Sequence, residues 1–232
     1  MVRALIFDFN GVLADDETPH VRCFQQSLWE HGLALTAEDY YGRYLGMDER
    51  TCAAALLAAR DGFVNVSVHE AIIERKAELF RSVVAVHKPA LFSGVDRLVE
   101  RAALTYRLAI ASGGRREQIE HALHGTMIES CFHVIVSAED VTAGKPDPEI
   151  YLHALKRLNA VCPRPPLIRA HECLVIEDSR AGILAAKAAH MWVVAVATTY
   201  PADQLTEADL VLPTLDGIQV DEMIRGLPPS RR

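Results

Sequence analysis

The sequence predicts an α/β fold: a doubly wound, parallel-sheet (Rossmann-like) core with a small all-helical cap domain inserted after the first strand. Three observations carry this expectation. Short runs rich in Val, Ile and Leu alternate with longer segments of helical apolar spacing, the pattern of strands buried on both faces. The stretch from about Thr18 to Lys88 breaks the alternation, offering helices and no convincing strand. Half of the 232 residues are apolar, enough to fill a large core.

In chain order, Ala4–Phe7 reads as the first buried strand. The inserted stretch follows, with helices expected at Val21–His31, Glu49–Asp61 and Val68–Val84. Its connections, Ala14–Thr18 and Val86–Ser93, read as hinges, the second carrying Pro89 and bordered by Gly94. This divides the chain into a core of residues 1–15 and 89–232 and a cap of residues 16–88. Beyond it, strands at Leu108–Ala111, Val134–Val136, Cys173–Ile176 and Val193–Ala197, with a weaker one at Leu210–Leu212, alternate with helices at Val95–Ala103, Glu117–His124, Pro148–Leu158 and Gly182–Ala189. Such an order places ligands at the carboxyl ends of the strands.

Bulk properties narrow the function. The net charge of -7 comes from 31 acids and 24 bases with no basic run, which argues against nucleic acid as a partner. No apolar stretch approaches the roughly 20 residues that span a bilayer, and no signal core opens the chain, so no membrane partner and a cytoplasmic location are expected. Five cysteines without CxxC pairs suit a reducing compartment, as buried thiols. Trp29 and Trp192 read as core, and His121, His124 and His133 as ordinary histidines. A monomer or small homo-oligomer is expected.

Four short motifs carry chemistry. In "LIFDFNGVLADDE" a strand delivers Asp8 to the crevice, with Asn10 two residues on and on the same side if the chain stays extended; Asn10–Gly11 is also an ordinary turn pair, prone to deamidation. "AIASGG" brings Ser112 and two glycines to a helix start, where a hydroxyl and unpaired N–H groups can cradle phosphate. "AGKPDPEIY" fixes Lys145 between a glycine and two prolines, an ammonium able to neutralise a carboxylate and a phosphoryl oxygen. "CLVIEDSRAGILAA" ends a strand on Glu177 and Asp178, an acidic pair that invites a hard cation such as Mg²⁺, although Asp178 also reads as a helix cap.

Together, in this order, the motifs resemble the haloacid dehalogenase superfamily, specifically its β-phosphoglucomutase-like and phosphatase branch with a helical cap. The resemblance spans nearly the whole chain, including "ADLVLPTLDGI" at Ala208–Ile218. It implies a Mg²⁺-dependent hydrolase acting on a small phosphorylated metabolite through an aspartyl-phosphate on Asp8. Ser112 and the N–H of Gly113 would hold the transferring group and Lys145 would stabilise its charge. Asp8, the main-chain carbonyl of Asn10, Asp178 and, directly or through water, Glu177 would bind the metal.

Asn10 departs from the family, which carries an aspartate there as general acid and base. An amide donates hydrogen bonds but exchanges no proton at ordinary pH. Three outcomes follow: an attenuated phosphatase with proton transfer moved elsewhere, for which His20 and the Asp15–Asp16 pair are candidates; a low-activity or non-catalytic module binding phosphometabolites; or a phosphosugar mutase or phosphonatase relative, the last needing a cap lysine, Lys76 or Lys88. The cap loop "LGMDER", Leu45–Arg50, resembles the segment such caps press onto substrate, and Arg50 and Arg43 could reach a second anionic group.

Overall fold

The computed structural model describes residues 1–229 except 45, 46, 48, 87 and 164. Its centre is a six-stranded, wholly parallel sheet made of β1 (Ala4–Phe7), β4 (Arg107–Ala111), β5 (Val134–Val136), β6 (Cys173–Glu177), β7 (Trp192–Val196) and β8 (Leu210–Leu212). The spatial order is β5-β4-β1-β6-β7-β8. Counting these six strands along the chain gives 3-2-1-4-5-6, the doubly wound order whose switch point lies between β1 and β6.

Side-chain alternation builds two cores. Leu5, Phe7, Leu174 and Ile176 face one side, where α5 (Val95–Ala103), α6 (Arg116–Leu123) and α9 (Val220–Gly226) pack. Ala4, Ile6, Cys173 and Val175 face the other, under α7 (Glu149–Val161) and α8 (Arg180–Ala188). Two-sided burial is why the strands read as unbroken apolar runs.

Helices fill the insert: α1 (Glu17–Glu30), a short α2 (Ala37–Asp39) running into a π-helical turn at Tyr40–Tyr44, α3 (Glu49–Asp61) and α4 (Val66–Val86). They have a core of their own, in which Phe24 and Leu28 of α1 meet Leu57 of α3 and Ile72 of α4. Both connections to this insert pair with each other, β2 (Ala14–Asp15) running antiparallel to β3 (Ala90–Leu91). A ribbon so short has no sequence periodicity to read. No helix among the described residues is long and apolar enough to cross a membrane.

Trp29 departs from expectation: it lies near the end of α1 and is 75% exposed, outside the core. Trp192 is half-buried, its Nε1 donating to the His171 carbonyl. All five cysteines are free; Cys23, Cys52 and Cys173 are buried, Cys131 and Cys162 only partly.

Candidate active site

The switch point sets Asp8 between two neighbours. Its N–H continues the β1–β6 ladder by donating to the Ile176 carbonyl at 2.9 Å, leaving the side chain just past the strand end. Lys145, buried, places Nζ 3.0 Å from Asp8 Oδ1 and donates to Glu177 Oε1 at 2.6 Å. Burial raises the Asp8 carboxyl to about 7, with Glu177 pushing the same way and Lys145 opposing. Burial works against the charge on Lys145, but Asp8 and Glu177 outweigh it and hold the ammonium above its usual range.

Glu177 is fully buried and saturated. Oε1 accepts from Lys145 and from the Tyr151 hydroxyl at 2.9 Å, while Oε2 accepts from the N–H groups of Asp178 (2.9 Å) and Ser179 (2.8 Å) and from Ser179 Oγ (2.9 Å). Ser179 also caps α8 by accepting from Gly182 N–H. Asp178 takes the Thr199 hydroxyl on Oδ2, and Thr198 Oγ1 donates to the Gly11 carbonyl at 2.5 Å. Gly11 has φ +75°, and a Cβ there would lie 2.0 Å from Asp178 Oδ2, so the turn after Asp8 closes against the acidic loop only as glycine. Asp8, Glu177 and Asp178 each offer an oxygen within 4.8 Å of the others.

Asn10 is held at both ends of its amide. Nδ2 donates to Asp16 Oδ1 at 2.8 Å, and Oδ1 accepts from Ser112 Oγ at 3.3 Å. Ser112 follows β4, its N–H bonded to the Val136 carbonyl, and its Oγ accepts from Gly114 N–H at 3.1 Å. The neighbouring Gly11 N–H is engaged with the Ala14 carbonyl at 2.9 Å.

From the insert side, a chain of polar contacts reaches Asp16. His20 Nε2 lies 3.3 Å from Asp16 Oδ2, and His20 Nδ1 is 2.5 Å from the fully buried Lys76 Nζ, which also pairs with Glu49. Burial alone would raise the Glu49 carboxyl, but Lys76 and His20 hold it down at about 2.

A cavity of about 70 Å³ joins these groups, lined by Asp8, Asn10, Ser112, Gly113, Lys145 and Asp178 from one side and by His20 and Glu49 from the other. Arg50 lies outside it. With Arg115 and Gly113 it lines an adjoining cavity of about 180 Å³, its guanidinium paired with Glu70 at 2.5 and 2.7 Å. Arg43 is exposed near Asp39, and Leu45, Gly46 and Asp48 of the expected cap loop lie outside the described residues. Lys88 donates to the His124 carbonyl. A larger groove, about 1010 Å³, lines the opposite end of the sheet by Arg3, Tyr106 and Arg107 and holds none of the motif residues.

Sequence reading missed Glu49, Tyr151, Thr199 and Arg115. Tyr151 sits inside the lysine motif, and Gly182 follows Ser179 at cap spacing, so part of the Glu177 cradle had a signal; Thr199 had none beyond the turn after β7.

The chain matches the haloacid dehalogenase-like hydrolases over residues 5–196. It is 32% identical over 225 residues to Protein CbbY of Rhodobacter capsulatus, covering 92% of this chain and 94% of that protein. It is likewise 32% identical over 193 residues to the phosphorylated carbohydrates phosphatase of Thermotoga maritima, covering 81% and 82%. Among solved structures, an aspartate-to-asparagine variant of CbbY from Rhodobacter sphaeroides in complex with xylulose-(1,5)bisphosphate superposes with a TM-score of 0.81 at 25% identity, covering 99% of this chain and 100% of that one. A family match over most of the chain, on a fold of the same order, makes this protein a member of the haloacid dehalogenase-like hydrolase family.

Proposed function

We propose that the protein is a Mg²⁺-dependent phosphatase acting on a small phosphorylated metabolite through a phosphoryl group carried on Asp8. One observation carries the reading: Asp8, Ser112, Lys145 and Asp178, delivered by separate strand ends and loops, line a single cavity. The relatives named for phosphorylated carbohydrates and crystallised with xylulose bisphosphate point to the same substrate class.

Three carboxylates so close together, with one ammonium among them, fit a hard cation. Asp8, the Asn10 carbonyl and Asp178 would hold Mg²⁺. Glu177, its oxygens already accepting five hydrogen bonds, would reach the ion through water and chiefly positions Lys145. When bound, the ion supplies charge neutralisation between nucleophile and phosphoryl group.

The protein's own groups account for the rest. Ser112 Oγ and Gly113 N–H orient the phosphoryl oxygens, Lys145 balances their charge, and Asp8 attacks phosphorus. Asn10 hydrogen-bonds the departing oxygen. Residues 16–88 act as a cap over a core of residues 1–15 and 89–232, with Glu49 and His20 at the foot of the cap excluding water when it closes. On this reading Arg50, released from Glu70, would take a second anionic group together with Arg115 across the adjoining cavity.

Asn10 favours one other reading, a module that binds phosphometabolites without turnover. A phosphonatase reading lacks its amine among the two cap lysines, because Lys76 is committed to Glu49 and His20 and Lys88 donates to the His124 carbonyl. Hydrolysis of p-nitrophenyl phosphate with Mg²⁺, comparing the native protein with Asp8→Asn, separates the first two. Turnover that Asp8→Asn abolishes supports the phosphatase; phosphate binding with no turnover supports the module; turnover untouched by Asp8→Asn refutes both.

A further inference from the structure

We propose that Asp16 and Asn10 act as a fixed pair that makes residue 10 a hydrogen-bond donor and not a proton donor, so that the enzyme selects phosphates whose leaving group departs without a proton, namely acyl and enol phosphates. The inference rests on the phosphatase reading and names its substrate class.

The surroundings of residue 10 are built for an amide. Asp16, 2% exposed, presents one carboxylate oxygen to Asn10 Nδ2 at 2.8 Å and the other to His20 Nε2 at 3.3 Å. One of its oxygens therefore accepts from the amide and the other faces the imidazole. At the amide's far end Asn10 Oδ1 takes the Ser112 hydroxyl. The carboxylate, which only accepts, fixes which way the amide faces, and the hydroxyl, already accepting from Gly114 N–H, donates to the amide oxygen. An aspartate at this position would set two carboxylates against each other, replacing an attraction with a repulsion.

No other carboxylic acid lining the cavity stands in for the missing one. Among the described residues lining the cavity, Asp8 is the nucleophile, Asp178 faces the cation site and the Thr199 hydroxyl, and Glu49 is ion-paired to Lys76. Of the two nitrogens of His20, Nδ1 is engaged with Lys76, while Nε2, buried without a hydrogen bond, lies 3.3 Å from Asp16 Oδ2.

The chemistry balances without a proton from residue 10. As an Asp8 oxygen bonds to phosphorus, the bond from phosphorus to the leaving oxygen breaks, and the leaving group takes the electron pair away as a carboxylate or enolate. Water then bonds to phosphorus, the Asp8–phosphorus bond breaks, and the water proton passes to solvent with the released phosphate. An alkoxide leaving group, a far stronger base, needs the proton that Asn10 lacks.

The test compares kcat/KM for acetyl phosphate, p-nitrophenyl phosphate and glycerol 3-phosphate across the native protein, Asp8→Asn, Asn10→Asp, Asp16→Asn and the exchange Asn10→Asp/Asp16→Asn. The native protein should favour acetyl phosphate over glycerol 3-phosphate by at least about 10²-fold more than the exchange variant, which regains both a proton donor and a matched hydrogen bond. Asn10→Asp alone should fall short of the exchange variant on glycerol 3-phosphate. A preference ratio equal in the native and exchange proteins overturns the inference while leaving the phosphatase reading intact. Equal rates for the native protein and Asp8→Asn on acetyl phosphate overturn both. If the exchange variant does not fold, the native series decides: glycerol 3-phosphate turned over as well as acetyl phosphate refutes the pairing.

Discussion

A Cβ placed on Gly182 would lie 1.8 Å from Glu177 Oε1. The first turn of α8 therefore closes over the buried carboxylate only because residue 182 has no side chain, and that carboxylate holds Lys145 against Asp8. Gly182→Ala should force Glu177 aside, lowering stability by about 1–3 kcal/mol and kcat by at least about tenfold through the displaced lysine. Thermal unfolding and steady-state kinetics on the same preparation check both effects.

Thr199 reaches the acidic loop from the turn after β7 and gives its hydroxyl to Asp178. Hydrogen bonds that orient a ligating carboxylate typically contribute 10–100-fold in metal affinity. Thr199→Val should weaken Mg²⁺ binding by roughly that factor while leaving the fold intact, as read by calorimetric titration; an unchanged affinity would remove Thr199 from the site.

The Glu49–Lys76 pair makes a pH-dependent contribution to stability. With the Glu49 carboxyl held down from 4.5 to about 2, its stabilisation is fully present above pH 4.5 and is lost as the pH falls toward 2. Glu49→Gln, which leaves the buried Lys76 ammonium without its partner, should cost on the order of 2–3 kcal/mol at neutral pH. The stability curves of the two proteins should converge on acidification, measured by denaturant unfolding from pH 7 to pH 2.

His190 sits at φ 58°, a left-handed position just past the end of α8, where Met191 N–H bonds to the Ala186 carbonyl. The side chain is exposed, so glycine loses no packing and relieves the strain. His190→Gly should add about 0.5–1 kcal/mol, a rise in Tm of about 2 °C for a chain of this size.

The parts of the fold that were legible in sequence are those with strong local patterning. β1 and β5 are unbroken apolar runs and β6 is apolar up to Glu177 because helices cover both faces of the sheet, and each motif announces a strand end with a glycine, a proline or a polar cluster. The β2–β3 ribbon escaped because two residues per strand carry no period. Trp29 misled because hydrophobicity alone does not say which face of α1 it occupies. Glu49 and Lys76 are ordinary charged helix residues until the packing of α1, α3 and α4 buries Lys76 beside His20. Asp16 was legible as a candidate but not as the partner of Asn10, since their meeting depends on the turn between them.

The central claim is that Asp8 carries the phosphoryl group. Acid-quenching the protein seconds after mixing with acetyl phosphate and Mg²⁺, followed by peptide mass mapping, tests it directly. A phosphoryl adduct on the peptide holding Asp8, absent without Mg²⁺ and absent in Asp8→Asn, is the predicted result. Steady hydrolysis with no adduct, and with Asp8→Asn as active as the native protein, would contradict it.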